Sequence, residues 1–440
     1  MRVLFTMAII LTAALSPAFG QDDEYQAHFD PVPIQSYTLP EALICNDSTR
    51  VETAQQWLQK RRPEIYKIFQ ETIYGVTPPK FDSMTFTVEN VKKDARNGKA
   101  TRKEVVINFT GQPDGCKARM LIYIPNNRPA GSKVPAFFGL NFRGNHTITD
   151  EPDVTITDAW VTNEPKQGRI NNKSTEASRG TAQERWPLDM ILDRGYAVCT
   201  MYYGEVAPDA LELYRNGIEK SFVEKRLALG GQQSDSDSGA KWGAIGMWAY
   251  GLSCGLDYLQ TDPDVDGQKV AVIGHSRLGK TALWAGAADT RFALVISNNS
   301  GCGGAALYRR SVGEMMERMS RVFRYWFCEN LNQYVNKENE LPFDMHELIA
   351  LQAPRPVYVA SAYEDIWADP KGEFLSACNA ADVYKLFSPN PLGDIKTTDL
   401  MPPIDVSVGG VIHYHVRTGK HDITPWDWEQ YLNFADKYLK

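Results

Sequence analysis

The spacing of apolar and polar positions changes about a third of the way along the 440-residue chain. Helical spacing over residues 53–75 is followed by three alternating or β-rich runs, which predict antiparallel strands at 84–93, 103–111 and 118–125. Beyond them, short apolar runs alternate with stretches of helical spacing. This part predicts strands at 134–142, 196–204, 269–274, 292–298, 355–361 and 406–416, and helices at 185–195, 244–260, 281–289 and 426–440.

Strands that alternate with helices after a run of hairpin strands are typical of an α/β domain with three layers and a mostly parallel central sheet. We therefore predict one domain over residues 21–440, with residues 21–55 as a polar N-terminal arm. We find no internal repeat and no long low-complexity linker in it. The polar residues 233–239 are expected to form an exposed loop.

The first twenty residues have the features of a secretory signal peptide. Arg2 supplies the charged start, residues 3–15 are apolar, and Ala18-Phe19-Gly20 offers a small-x-small cleavage site. The apolar run is too short to span a bilayer as a helix. The sequence therefore predicts that residues 1–20 are removed, leaving a secreted or periplasmic protein without a membrane anchor.

Charge, composition and cysteine spacing limit the kinds of ligand and of stabilisation that the chain can use. Without Arg2 the chain carries 46 basic and 54 acidic residues, a net charge of −8, and has no basic stripe, which argues against nucleic-acid binding. Its 43% hydrophobic residues supply a large core. The seven cysteines are scattered without Cys-x-x-Cys spacing, so they favour occasional disulfides over a metal site, with at least one cysteine unpaired.

Residues 270–281, VAVIGHSRLGKT, fit two incompatible motifs. Gly274 to Thr281 match G-x-x-x-x-G-K-[ST], the phosphate loop of nucleotide hydrolases. That interpretation needs an apolar strand ending in an aspartate that holds magnesium, whereas the strand predicted at 292–298 ends in asparagine. Nucleoside triphosphates are also scarce outside the cytoplasm. We therefore predict no nucleotide, no metal and no other cofactor.

The alternative motif is a nucleophile elbow, in which a strand, a sharp turn and a helix hold a serine at the tip of the turn. Ser276 follows an apolar run and Gly274, as the G-x-S-x-G pattern requires. Leu278 occupies the second glycine position, however, and Gly279 follows one residue later. The sequence still predicts an elbow with Ser276 as the nucleophile.

An acid and then a histidine should follow the serine in this fold. Of the later histidines, His421 lies in a loop between the last predicted strand and helix, whereas predicted helix or strand positions hold His346, His413 and His415. The acid is expected after the strand at 355–361, where three carboxylates compete: Glu364, Asp365 and Asp369. We favour His421 and Asp365, because a carboxylate must hold the imidazole in one tautomer, and assign the other two acids to a solvated loop.

The stretch GHSRLGKTALWAGAADTRFALVISNNSGCGGAAL resembles the glucuronoyl esterases, carbohydrate esterases of the α/β-hydrolase fold. Their elbow reads G-[CH]-S-R-x-G-K and is followed by Ser-Gly-x-Gly-Gly. The segments LNFRGNHT, YYGEVAPD, WGAIGMWAYGLS, YEDIWADPKGEF and HDITPWDW are similar to the bacterial branch, so the resemblance covers roughly residues 60–440. It implies a glucuronoxylan or lignin-carbohydrate ester as substrate, since the family cleaves esters between 4-O-methylglucuronic acid and lignin alcohols.

The resemblance also implies roles for four residues around Ser276. Arg277, directly after the nucleophile, is expected to stabilise the oxyanion with its backbone N–H and its guanidinium charge. Lys280, one helical turn beyond Ser276, is expected to bind sugar hydroxyls. Glu314 and Trp367 match further sugar contacts of the family.

Two positions depart from many relatives. His275 stands where fungal members carry a disulfide-forming cysteine. Asn299 stands where many members have the glutamate that serves as the catalytic acid, and an amide carries no charge. Some bacterial relatives have an aspartate at the position of Asp365, which agrees with the acid favoured on chain order.

We therefore predict a secreted serine esterase that hydrolyses glucuronic acid esters through an acyl-enzyme on Ser276, with His421 as the base. Two alternatives stay open at this point. The first is an acetylxylan or other carbohydrate esterase that uses the same triad. The second, suggested by Asn299, is a glycan-binding relative without hydrolytic activity.

Overall fold

The computed structural model describes residue 26, residues 28–228 and residues 242–440. The predicted signal peptide and the exposed loop predicted at 233–239 lie outside the described residues. Among the helices of the described part, none combines the length and the apolar character that crossing a bilayer requires.

Most strands of the described residues belong to one twisted sheet of ten. The strands are β1 (Thr85–Ala95), β2 (Ala100–Asn108), β3 (Lys117–Pro125), β4 (Val134–Asn141), β5 (Arg169–Ile170), β6 (Lys173–Ser174), β7 (Ala197–Tyr202), β8 (Val265–His275), β9 (Leu294–Asn298), β10 (Val357–Ala362), β11 (Val408–Gly409) and β12 (Ile412–Arg417). The large sheet has the order β1-β2-β3-β7-β4-β8-β9-β10-β12-β11, and β5 and β6 form a separate ribbon.

The sheet has a parallel centre with antiparallel edges. From β7 through β4, β8, β9 and β10 to β12, each strand runs parallel to its neighbour. The hairpin strands β1, β2 and β3 extend one edge in antiparallel pairing, as the sequence predicts. This arrangement confirms the predicted α/β-hydrolase class with a mostly parallel sheet.

Helices precede, connect and follow the strands of this sheet. They are α1 (Ala54–Gln56), α2 (Arg62–Phe69), α3 (Leu188–Asp193), α4 (Tyr203–Val206), α5 (Ile218–Ala228), α6 (Ala244–Thr261), α7 (Arg277–Ala288), α8 (Met316–Val322), α9 (Met345–Ala350), α10 (Pro370–Asn379), α11 (Ala381–Tyr384) and α12 (Pro425–Leu439). The π-helical segments Trp57–Arg61 and Gln70–Tyr74 continue α1 and α2 into one helical stretch, which the spacing over 53–75 predicts.

Alternate residues of the central strands enter two separate cores. Val270 and Val272 of β8 pack on the side covered by α6 and α7. Ala271 and Ile273 pack on the opposite side, with residues of α3 and α12. Because strand side chains alternate between faces, helices must cover both sides of the sheet, which gives the three layers.

Two expectations from the sequence are wrong. The strand predicted at 406–416 is a short hairpin of β11 and β12, because Gly409 takes a φ of +124° and turns the chain. The occasional disulfides are also absent within the described residues, where all seven cysteines are free thiols. Burial raises the pKa of Cys116, Cys254, Cys328 and Cys378 to about 12, so these thiols stay protonated.

Candidate active site

Ser276 is the single residue between the end of β8 and the start of α7. Its backbone has φ +58° and ψ −130°, a conformation that a residue with a side chain rarely adopts. Its N–H donates to the carbonyl oxygen of Asn298 at 2.9 Å, which ties the turn to the end of β9. This is the strained strand-to-helix turn of a nucleophile elbow.

The glycines of the motif make this turn possible. A side chain at Gly274 would overlap the carbonyl group of Leu278, and one at Gly279 would come within 3.0 Å of the Ser300 Cβ. Leu278 itself is buried in the core. The motif tolerates leucine there because Gly279, one residue later, is the position that approaches the end of β9.

The same segment excludes the phosphate-loop interpretation. Throughout residues 274–281, all of which are described, the chain is either strand, elbow or helix. Gly274 lies in β8, and Lys280 lies inside α7. A phosphate loop needs a run of non-helical residues whose N–H groups surround the phosphate, and no such run exists here.

His421 connects Ser276 with Asp365. Its Nε2 lies 2.9 Å from Ser276 Oγ, and its Nδ1 lies 2.6 Å from Asp365 Oδ2. With the proton on Nδ1 donated to the carboxylate, Nε2 is free to accept the proton of Ser276. Asp365 is buried and His421 is exposed, so His421 faces the solvent side of the elbow.

Asn299 stands at the acid position of many relatives, and Glu364 and Asp369 are the two carboxylates that compete with Asp365. Asn299 donates from Nδ2 to Asp365 Oδ2 at 2.8 Å, a neutral hydrogen bond to the oxygen that also contacts His421. Glu364 is exposed, as expected for a solvated acid. Asp369 is not solvated: it is buried, pairs with Arg310 at 2.9 Å and caps the start of α10.

Arg417 fixes the loop that carries His421. Its guanidinium donates to three carbonyl oxygens of this loop, those of Thr418, Lys420 and Asp422, at 2.8, 2.9 and 2.7 Å. Its Nε donates at 2.8 Å to Asp427, which closes the capping box of α12 with Thr424. Five donors in one rigid plane suit arginine for this task, and lysine could not replace it.

His275 packs against the ring of His421. Its Nδ1 lies 2.6 Å from Asn298 Oδ1, and its ring centroid lies 4.6 Å from that of His421. Burial, reinforced by repulsion from His421, holds the pKa of His275 well below its ordinary value. His275 therefore stays neutral and adds no charge that would oppose protonation of His421.

Arg277 is held in a cage of aromatic and acidic groups. Its guanidinium lies 4.8 Å from the ring centroid of Trp326 and 5.6 Å from that of Phe142, and its Nη1 pairs with Asp209. Burial lowers the pKa of Arg277, but Tyr203 and Asp209 outweigh burial and keep it above its ordinary value. The arginine is therefore permanently charged beside the elbow.

The predicted sugar contacts form a second group next to the elbow. Lys280 Nζ donates to Glu314 at 2.8 Å and to the carbonyl oxygen of Ser300 at 2.5 Å. An ammonium has three N–H donors, so one remains for a ligand. The Glu314 N–H donates to the carbonyl of Trp367 at 2.8 Å, and 46% of the Trp367 surface is exposed. These three residues thus lie together.

Sequence reasoning missed Asp209, which organises Arg277. Besides the arginine it accepts hydrogen bonds from Tyr203, Tyr325 and Trp326, at 2.8, 2.7 and 2.7 Å. It lies 68 positions from Arg277 and ends the segment YYGEVAPD, whose similarity to the bacterial branch is the signal that could have found it. Arg417 was missed too, although an arginine at the end of a strand before a histidine-bearing loop is a usable signal.

Comparison with known proteins agrees with this architecture. A sequence profile described as glucuronyl esterase of fungi matches residues 236–388. A carbohydrate esterase of an unknown prokaryotic organism is 44% identical over 439 residues, which cover 99% of this chain and 98% of that protein. The 4-O-methyl-glucuronoyl methylesterase 1 of Wolfiporia cocos is 36% identical over 151 residues, 32% of this chain and 37% of that protein.

Solved structures give the same result. A promiscuous esterase from a marine bacterial metagenome superposes with a TM-score of 0.85 at 44% identity, covering 93% of this chain and 99% of that one. A glucuronoyl esterase from Solibacter usitatus superposes with a TM-score of 0.83 at 42% identity, covering 92% and 99%.

The fold and the hydrogen-bonded line of Ser276, His421 and Asp365 define an α/β-hydrolase with the layout of a serine hydrolase site. The sequence and structural similarities then identify the family. The chain belongs to the glucuronoyl esterases, a family of carboxylic ester hydrolases.

Proposed function

We propose that this protein hydrolyses esters of glucuronic acid or 4-O-methylglucuronic acid, as found in lignin-carbohydrate esters of glucuronoxylan. The observation that carries the proposal is the line from Ser276 Oγ through His421 to Asp365, with contacts of 2.9 and 2.6 Å. The protein is proposed to act outside the cytoplasm after removal of residues 1–20, as a single domain over residues 21–440.

Ser276 attacks the ester carbonyl while His421 Nε2 takes its proton. The negative charge that develops on the carbonyl oxygen is stabilised by the backbone N–H and the charged side chain of Arg277. His421 then gives the proton to the departing alcohol, and a glucuronoyl ester forms on Ser276. A water molecule activated by His421 releases the acid, while Asp365 keeps the imidazole oriented throughout.

Lys280, Glu314 and Trp367 are proposed to bind the sugar. Lys280 is 2% exposed and its position is fixed by two acceptors, so its remaining donor is preorganised for a hydroxyl group. Glu314 can accept from a second hydroxyl, and the exposed Trp367 offers the ring face opposite Arg318, whose guanidinium lies 4.8 Å from the ring centroid. Such a polar set favours a uronic acid over the small apolar acetyl group as the acyl part.

The deciding experiment compares benzyl glucuronate with an acetylated xyloside, using the purified full-length protein and its Ser276→Ala variant. We expect kcat/KM to be higher for the glucuronate ester, and Ser276→Ala to be inactive. A clear preference for the acetyl ester would instead support a deacetylase. The absence of hydrolysis, together with no labelling of Ser276 by a fluorophosphonate, would support a binding protein.

Hydrolysis should need neither a metal nor a nucleotide, because the proposed steps are completed by Ser276, His421, Asp365 and Arg277. We expect the rate on benzyl glucuronate to be unchanged by EDTA and by added ATP. A rate abolished by the chelator and restored by a divalent cation would contradict this mechanism.

Lys280→Ala should raise KM for benzyl glucuronate roughly tenfold and lower kcat much less. The sugar hydroxyls are present both in the bound substrate and in the transition state. Removing the Lys280 hydrogen bond to them therefore weakens the binding of both states equally. The expected size corresponds to one charge-assisted hydrogen bond, about 1.5 kcal/mol. The acetylated xyloside lacks the uronic acid and serves as the comparison; an equal rise in KM for both esters would remove the proposed role.

A further inference from the structure

Arg143 is a half-buried cation without an acidic partner. It follows β4 in a turn held by the Asn141 side chain, whose Oδ1 accepts from the N–H of Arg143 at 3.4 Å and of Gly144 at 2.9 Å. Across residues 28–228 and 242–440, its guanidinium forms no ion pair and donates no hydrogen bond. Burial lowers the pKa of Arg143 and the charges of Arg169 and Arg185 lower it further, while the nearby carboxylates of Glu164 and Asp422 offset part of this lowering.

Arg143 is the exception among the arginines around it. The others are neutralised by carboxylates: Arg169 by Glu164, Arg185 by Asp422 at 2.7 Å, and Arg277 by Asp209. A partly desolvated guanidinium loses hydration, and in most proteins an acid compensates for that loss. The two carboxylates that act on Arg143, those of Glu164 and Asp422, are already paired with Arg169 and Arg185, so the charge of Arg143 is available to an anionic ligand.

The neighbouring Phe142 places this charge beside the elbow. Its half-buried ring lies 5.6 Å from the guanidinium of Arg277 and 6.1 Å from the ring of His275, the residues on either side of Ser276. The guanidinium of Arg185 lies 5.9 Å from the same ring. Arg143 directly follows Phe142, and its guanidinium interacts electrostatically with Arg185 and with Asp422, the residue after His421. We call Phe142 and Arg143 the aromatic and cationic wall on this side of the site.

The strand order assigns this wall to one side of the ester. β4 and β9 flank β8 on opposite sides. Lys280 is bound to the Ser300 carbonyl just after β9, and Trp367 follows β10, so the proposed sugar contacts lie on the β9 side. If the acyl sugar occupies that side, the alcohol of the ester must extend towards β4, where Phe142 and Arg143 lie.

We propose that Phe142 and Arg143 form a subsite for the leaving alcohol, in which the Phe142 ring contacts an aromatic group and Arg143 binds a carboxylate attached to it. This inference rests on the proposed function, because it assigns the alcohol side of the same ester. Aromatic alcohols that bear an acid are therefore preferred over neutral ones.

The test compares two esters that differ only in that charge, benzyl glucuronate and 4-carboxybenzyl glucuronate. Both give the same acyl-enzyme, so deacylation is identical and kcat/KM reports binding and acylation alone. We expect the wild-type protein to prefer the carboxybenzyl ester in kcat/KM by about fivefold at low salt, the size of a partly exposed charge pair. Added sodium chloride should reduce the preference.

Arg143→Gln should abolish the preference, whereas Arg143→Lys should retain part of it. Arg321→Gln, which removes an exposed arginine on α8, is the charge-matched control and should behave as the wild type. A wild-type preference of one or less, or the same preference in Arg143→Gln, would overturn the subsite. Failure of the wild type to cleave either ester would instead overturn the proposed function.

Discussion

Asp365→Asn should lower kcat by about 10³- to 10⁴-fold, with a far smaller change in KM. Asp365 Oδ2 lies 2.6 Å from His421 Nδ1, and it is the one carboxylate oxygen within hydrogen-bond distance of that nitrogen among the described residues. An amide at this position supplies no charge to balance the imidazolium and can stabilise the wrong tautomer. The corresponding substitution in a serine protease costs about 10⁴-fold.

Two further variants separate the acid from its neighbour Asn299. Asn299→Ala removes one donor to Asp365, and we expect a loss of less than about tenfold in kcat, equivalent to ~1.4 kcal/mol. Adding Asn299→Glu to Asp365→Asn should restore part of the lost rate, because position 299 lies beside the same carboxylate oxygen.

One combination of variant activities would contradict Asp365 as the acid. Near-normal activity in Asp365→Asn, together with inactivity of Glu364→Gln, would move the acid to the exposed neighbour. Asp369→Asn is a test of folding only, since Asp369 pairs with Arg310 and caps α10. Its expected effect is a lower melting temperature with unchanged kcat in the remaining folded protein.

Much of the fold follows from local patterns in the sequence. The alternation in β1 to β3, the apolar runs of β4 and β8 and the amphipathic α12 all reflect a periodicity that each segment carries by itself. The order of the strands in the sheet does not, because it depends on contacts between distant segments. The split of the last predicted strand was missed because Gly409 and Gly410 sit within an otherwise apolar run.

Some residues of the candidate site can likewise be predicted from the local sequence, and others cannot. Ser276 and His421 are marked by their place after a strand, and the parallel sheet brings the carboxyl ends of β8, β10 and β12 to one edge. Asp209 ends a segment similar to the family, but the local sequence does not show its role, which arises because the loop folds back onto Arg277. The missing partner of Arg143 is likewise visible only when its surroundings are known.

Arg277→Ala should lower kcat by about 10²- to 10³-fold and leave KM nearly unchanged. The oxyanion exists only after Ser276 has attacked, so the guanidinium charge stabilises the transition state and not the bound ester. The backbone N–H of residue 277 remains in every variant and accounts for residual activity.

The structure also predicts how Arg277→Ala affects folding and how it compares with Arg277→Lys and Lys280→Ala. Removing the guanidinium leaves Asp209 with its donors Tyr203, Tyr325 and Trp326, so the loop should keep its conformation and the protein its fold. Arg277→Lys keeps the charge but loses the planar contacts with the rings of Phe142 and Trp326, and should fall between the wild type and Arg277→Ala. The test is to measure kcat and KM of Arg277→Ala and Lys280→Ala with the same substrate. If both variants mainly raise KM, Arg277 binds the substrate and does not stabilise the oxyanion.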